Sequence, residues 1–327
     1  MEYTQFGRTV LQVSKISYGT WQFGGDWGHV DREQWDAGKA TVRKALELGI
    51  NFFDTAQAYG FGLAERLLGE AIQPELRSQR DTIVLATKGG LRMHENTLLR
   101  DASARWLRQG VEQSLRNLGV DYIDLYQVHW PDPNTPIEET ASALDALVKA
   151  GKIRYVGVSN YNAEQMRAFE RTRRLDALQP AYSLFRRDIE REILPYCQQQ
   201  GIGVLVYGPL AHGLLGGSFT PQTTFATDDW RSKSKFFHGE TFQHNVAVVE
   251  QLKRLAAREG MTIAQLAVAW VLAQPAIDVA IVGARNPEQL EQTALAGDKH
   301  LTQATLQEIE RIMREAIPIG GPAPEGM

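Results

Sequence analysis

The sequence predicts a (β/α)8 TIM barrel, an α/β fold, on three observations. A helix–glycine–strand phrase recurs along the chain, the strands it feeds are apolar on both faces, and eight such strands can be counted across 327 residues. The phrase first reads TVRKALELGINFFDTA over Thr41–Ala56. Val42, Ala45 and Leu46 recur there at helical spacing, and Gly49 stands where a helix C-cap calls for a left-handed residue. It returns as VEQSLRNLGVDYIDLYQVH with Gly119, as ALDALVKAGKIRYVGVSN with Gly151, and as YCQQQGIGVLVYGPL with Gly201. Such short helix-to-strand connections belong to βαβ units. The strands IVLAT, YIDLYQV, RYVGV and VLVY lack clean alternation, the pattern of parallel strands covered on both sides.

In chain order the predicted barrel strands are Lys15–Gly19, Asn51–Asp54, Thr82–Thr87, Tyr122–Val128, Arg154–Val158, Ala177–Pro180, Gly203–Tyr207 and Val279–Val282. Helices fill the intervals, the first opened by Asp31 and Gln34 as a capping box. Ahead of the strands, MEYTQFGRTVLQVS alternates weakly around Gly7 and reads as an N-terminal hairpin closing the barrel bottom. After strand seven, Leu214–His244 reads as a long loop with Gly216, Gly217, Pro221, Asp228 and Asp229, and loops of this length are usually functional or mobile. The basic cluster Arg171, Arg173 and Arg174 ends a helix and reads as a solvated face helped by the helix dipole. The tail IPIGGPAPEGM reads as an irregular surface strap. Residues 1–327 are therefore read as a single barrel domain. The rival is a doubly wound sheet, which usually carries G-x-G-x-x-G after its first strand. The nearest match, Gly60-Phe61-Gly62 followed by Glu65, lacks the third glycine and follows the second strand.

Composition excludes several function classes. The chain is 43% hydrophobic, more than disordered chains carry. Its net charge of −4 gives no basic footprint for nucleic acid. No apolar run approaches the roughly 18 residues of a membrane helix, and Glu2, Gln5 and Arg8 interrupt any secretory leader. Cys197 is the sole cysteine, which excludes an intramolecular disulfide, and the seven histidines show no ligand spacing, so no metal is expected. A cytoplasmic location follows as the expectation. Oligomeric state is not legible.

In a barrel, chemistry sits where the strands end. The predicted ends carry Gly19-Thr20-Trp21, then Asp54-Thr55 with Tyr59 beyond, Thr87-Lys88-Gly89-Gly90, His129-Trp130-Pro131-Asp132, Ser159-Asn160, Gln179, and Tyr207-Gly208-Pro209. Each has a plain alternative: an Asp after a strand is often a helix cap, a histidine is often a satisfied half-buried residue, and a lysine closing a strand can snorkel to water. Together they face one mouth, and their chemistry fits carbonyl reduction or its reverse. Hydride arriving at a carbonyl carbon leaves charge on oxygen, so a proton donor must stand ready. A tyrosine serves when its pKa of about 10 is lowered, and an ammonium lowers it by favouring the phenolate. Lys88 is placed to do this for Tyr59, Asp54 to hold Lys88, and His129 to orient the carbonyl or donate to the oxyanion.

The blocks FDTAQAYG (Phe53–Gly60), ATKGG (Ala86–Gly90), YQVHWPD (Tyr126–Asp132), VGVSN (Val156–Asn160), LQPAYS (Leu178–Ser183), YGPLAHGLLGG (Tyr207–Gly217) and IVGARNPEQLEQ (Ile281–Gln292) resemble the aldo-keto reductase family over essentially the whole chain. GTWQFGG and DDWR are similar to its bacterial larger-reductase group, which is also similar to potassium-channel β subunits. The resemblance implies the barrel, a catalytic tetrad at Asp54, Tyr59, Lys88 and His129, and NADP(H) lying extended across the mouth. It implies Ser159, Asn160 and Gln179 on the nicotinamide carboxamide, Tyr207 stacked on the ring, and Thr20, Trp21 and Asp54 alongside. It further implies Gly208, Pro209, Leu210, Ala211 and Gly213 along the pyrophosphate, and Gly283, Arg285, Gln289 and Gln292 at the adenosine 2′-phosphate end. The sequence departs from the pattern at Ser218, where a lysine is common and for which Arg231 is a replacement, at Gln292-Thr293 in place of Glu-Asn, and at Ala64 in place of Ser.

Trp21, Trp27, Tyr59 and Trp130 are the predicted substrate walls, suited to a planar, apolar or sugar-like carbonyl. Trp230, Phe236 and Phe237 either close over it or pack the base of the long loop. The expected partner is a small carbonyl or alcohol substrate. Two other function classes stand beside the reductase. One is an NADP(H)-binding redox sensor that regulates a partner with little turnover, and the other is a Schiff-base lyase using Lys88.

Overall fold

The computed structural model describes residues 1–24, 31–95 and 97–320. The chain opens with an antiparallel hairpin, β1 (Tyr3–Gln5) and β2 (Gln12–Ser14). It then lays down β3 (Ile16–Gly19), β4 (Phe52–Asp54) and β5 (Val84–Gly89), a second hairpin of β6 (Leu91–His94) and β7 (Thr97–Arg100), and β8 (Ile123–Val128). β9 (Ile153–Ser159), β10 (Ala177–Gln179), β11 (Gly203–Val206) and β12 (Val279–Gly283) complete the set. β3, β4, β5 and β8 through β12 close into an eight-stranded barrel. All its pairings are parallel, and β12 meets β3 with Ile281 opposite Ser17 and Gly283 opposite Gly19. Each predicted barrel strand is present within about two residues of its expected bounds, the usual scatter of element ends.

The wall is wrapped by α1 (Arg32–Glu47), α2 (Leu63–Ala71), α3 (Gln73–Ser78), α4 (Ala104–Leu118), α5 (Ile137–Lys149), α6 (Ala163–Glu170), α7 (Ile193–Gln200), α8 (Gly239–Arg258), α9 (Ile263–Leu272), α10 (Pro287–Ala294) and α11 (Gln303–Met313). Asp31 and Gln34 form the predicted capping box of α1. α9 is apolar nearly all round because it is covered on all sides, with Trp270 fully buried and stacked on Tyr182 at 5.3 Å. No single helix among the described residues is long and apolar enough to cross a membrane.

The first hairpin does plug the barrel bottom. Phe6 is fully buried, edge-on to Phe52 at 5.6 Å, within a cluster that includes Leu11, Val13, Val84, Leu125, Leu205 and Val279. Gly7 makes the close approach: its φ is +50°, and a Cβ there would lie 2.3 Å from the Gly203 amide nitrogen. The Asp278 carboxylate accepts from the Val204 N–H at 2.9 Å and from the Gly7 N–H, tying plug to wall.

Two features differ from the sequence expectation. The β6–β7 hairpin was not anticipated; it turns at Glu95, which takes a φ of +52°, and pairs Leu91 with Arg100. The stretch Leu214–His244 is irregular only in part, since short 3-10 turns occupy Ala211–Gly216 and Trp230–Lys233 and α8 begins at Gly239.

Candidate active site

Asp54 ends β4, Lys88 lies next to last in β5, His129 follows β8, and Tyr59 starts the short 3-10 turn Tyr59–Gly62. Parallel register sets Lys88 beside Gln127 and Asp54 beside Ala86, so the period of two points both charged groups into the barrel. Lys88 Nζ donates to Asp54 Oδ1 at 2.6 Å, to the Thr55 carbonyl at 2.9 Å and to the Tyr59 hydroxyl at 3.3 Å. Three acceptors fill the ammonium's three donor positions. Lys88 is 1% exposed and Asp54 3%. Such a pair is held by its hydrogen bonds, since desolvation offsets much of the bare attraction.

His129 meets Tyr59 edge-to-face at 5.7 Å. Burial, and after it the charge on Lys88, hold its imidazole pKa well below the ordinary 6.5. It is therefore neutral at physiological pH, and its Nδ1 is buried with no protein partner. The neighbouring Trp130 Nε1 is in the same state.

The other Asp54 oxygen is also held. Gln179 Nε2 donates to Oδ2 at 2.8 Å and Gln127 Nε2 at 3.4 Å, and the two amides meet at 3.3 Å. Gln127 was missed by the sequence reading. The signal was its place two residues before His129, which puts a polar side chain on the inward face of an apolar strand. Ser159 Oγ donates to the Gln179 carbonyl at 2.8 Å, and Asn160 Nδ2 to the His129 carbonyl at 3.1 Å. Tyr207 donates its hydroxyl to Asn160 Oδ1 at 2.9 Å. Asn160 takes a φ of +63° to reach both. The structure thus brings Ser159, Asn160, Gln179 and Tyr207 together along one side of the tetrad.

Beyond Tyr207 the loop turns through left-handed residues: Gly208 at φ +68°, Ala211 at +48°, His212 at +56° and Gly213 at +96°. Alanine and histidine pay roughly 1–2 kcal/mol each for that conformation, a cost typical of functional sites. A Cβ added at Gly208 would meet nothing within 4 Å, so this backbone is open to an approaching group. Pro209 and Leu210 lie within the loop, Leu210 heading its 3-10 turn.

Arg231 packs beneath it. Its guanidinium grips Asp229 through Nε at 3.0 and 3.1 Å and Nη2 at 2.5 Å, and donates through Nη1 to the His212 carbonyl at 3.1 Å. It lies over Phe225 at 4.6 Å. His212, Trp230 and Phe237 pack edge-to-face, and Phe237 is 2% exposed. Trp230, Phe237 and the partly buried Phe236 therefore pack the base of the loop.

Arg285 is exposed just ahead of α10; its N–H is accepted by Gln289 Oε1 at 2.9 Å, while Asn286 caps the helix. Gln292 is exposed on the same helix, and its carbonyl accepts from Gln265 Nε2 at 2.8 Å. Gly283 ends β12 against Gln22. At the rim Thr20 is buried with an unpartnered hydroxyl, Trp21 is 48% exposed, and Trp130 packs with Leu91 beneath the Arg100 guanidinium. Trp27 lies outside the described residues.

The Aldo/keto reductase family profile matches residues 15–314. The chain is 43% identical to the aldo-keto reductase YhdN of Bacillus subtilis, covering 98% of this chain and 96% of that one. It is 34% identical to the NADH-specific methylglyoxal reductase of Escherichia coli, over 97% and 99% of the two chains. Among solved structures it is similar to the glycerol dehydrogenase AKR11B4 of Gluconobacter oxydans, with a TM-score of 0.90, 37% identity and 98% of each chain covered.

Proposed function

The chain belongs to the aldo/keto reductase family, and from that premise we propose that it interconverts aldehydes or ketones and alcohols with NADP(H), Tyr59 being the proton donor. The carrying observation is the run of contacts from Asp54 through Lys88 to the Tyr59 hydroxyl, at 2.6 and 3.3 Å. Bound at the mouth, the nicotinamide supplies or accepts the hydride. Lys88, held in place by Asp54 and the Thr55 carbonyl, stabilises a phenolate left on Tyr59 once its proton has gone to the substrate oxygen. His129 is neutral and adds no competing positive charge, so it orients the carbonyl by hydrogen bonding.

The left-handed loop Gly208–Gly213 and the exposed Arg285 before α10 support an extended cofactor. The guanidinium fork suits a phosphate, which is the basis for preferring NADPH to NADH. A fluorescence titration of the protein with NADPH and NADH, followed by oxidation with a panel of carbonyls, tests the reading. NADPH-selective quenching with turnover on an aldehyde or ketone is the expected result. Tight binding without turnover would favour the redox sensor, and no binding would overturn both.

A further inference from the structure

Glu65 lies in the layer between the barrel wall and α2 and is fully buried. α2 contributes Leu67, Leu68 and Ala71 to that layer, into which Ser114 and Tyr126 also bring buried hydroxyls. A carboxyl group placed there is costly unless its oxygens are bonded. Both are: Thr87 Oγ1 donates to Oε1 at 2.7 Å and Asn117 Nδ2 to Oε2 at 2.7 Å. Burial pushes its pKa up from the ordinary 4.5, against the pull of these bonds.

The place of each partner in the chain gives the arrangement its meaning. Thr87 and Lys88 are consecutive on β5, so their side chains leave the wall on opposite faces. Lys88 reaches inward to Asp54 and Tyr59, and Thr87 outward to Glu65. Glu65 is in the first turn of α2, directly after the Tyr59–Gly62 turn. One carboxylate therefore joins the strand that carries Lys88 to the helix that follows Tyr59. Asn117, on α4, fixes its other oxygen.

We propose that Glu65 is a positioning residue for the proton transfer: its bond to Thr87 sets the Lys88–Tyr59 spacing from behind the barrel wall. This rests on the tetrad reading above. The 3.3 Å contact is near the long limit of a hydrogen bond, so a shift of a few tenths of an ångström breaks it. Tyr59 faces Lys88 and the edge of His129, and Lys88 faces Asp54. The charged or titratable groups acting with Glu65 are Arg66 and Tyr126.

Thr87→Val and Asn117→Ala each remove one bond to the same carboxylate, so both lower the melting temperature. Only Thr87→Val is expected to lower kcat, by about tenfold, and to move the alkaline limb of the kcat profile to higher pH, as a less supported phenolate requires. Affinity for NADPH stays within about twofold, because no bond to it is lost. Thr87→Ser restores the hydroxyl and the wild-type profile, and Glu65→Gln, which keeps an acceptor for Thr87, falls between wild type and Glu65→Ala. Loss of turnover in Tyr59→Phe while Thr87→Val and Asn117→Ala behave alike overturns this inference alone. Wild-type turnover that survives Tyr59→Phe overturns the tetrad reading and this inference with it.

Discussion

Lys88 donates to Tyr59 across 3.3 Å while its other two hydrogen bonds hold it to Asp54 and to the Thr55 carbonyl. The ammonium is thus aimed by backbone and carboxylate together, and the tyrosine receives its charge from a fixed direction. Replacing Tyr59 by Phe keeps the ring that faces His129 and removes the proton. Turnover should fall by about 10²–10⁴-fold, with NADPH quenching retained. Steady-state rates and a binding titration on one sample check it.

The buried pair makes a separate stability prediction. Lys88→Met conserves much of the side-chain volume but leaves Asp54, 3% exposed, with only the amides of Gln179 and Gln127. Breaking one side of such a pair costs about 3–5 kcal/mol. Urea unfolding should show a lower midpoint as well as lost activity. An unchanged midpoint would mean that water already reaches Asp54.

Arg285 stands exposed before α10, where the proposed reading puts the cofactor's 2′-phosphate. Arg285→Ala should weaken NADPH by about 10–100-fold, the worth of a charge-assisted contact, and change NADH little. Equal weakening of both would remove its phosphate role. Asp229, already engaged with Arg231, also feels the charge of Arg285.

Asp278 gives the bottom of the barrel a pH dependence. Burial raises its pKa to about 6, from 3.8. Between those values the folded protein holds a proton that the unfolded chain has lost, so this contribution falls as pH rises. Stability of the wild type relative to Asp278→Asn should drop on the order of 1–3 kcal/mol between pH 4 and 7, allowing for partial exposure. Thermal unfolding of both proteins across that range would show it, and parallel curves would refute it.

The barrel was legible because its signals are local. Glycine stops such as Gly49, Gly119 and Gly201 and the apolar strands between them need no tertiary information. Asp54, Lys88 and His129 were legible because a polar residue at the end of an apolar strand is conspicuous. Gln127 and Glu65 were not, for opposite reasons. Gln127 sits inside a strand, where only its inward alternation marks it, and Glu65 looks like any first-turn helical acid. Its burial comes from Thr87 and Asn117, which reach it from different elements. The β6–β7 hairpin was hidden by its turn at Glu95, a residue without the usual left-handed preference. The pairing of Arg231 with Asp229 depends on a loop whose course no periodicity encodes.

Closure of the barrel has a kinetic consequence. The Tyr18 hydroxyl bonds to the Ala284 carbonyl, 266 residues away, beside the seam where β3 meets β12. During synthesis β3 and β11 both remain bare sheet edges until that last strand emerges, although Asp54, Lys88 and His129 are already made. Contacts this distant in sequence form slowly, and exposed edges recruit other chains. A chain halted before Val279 would hold every member of the tetrad and still be prone to aggregate.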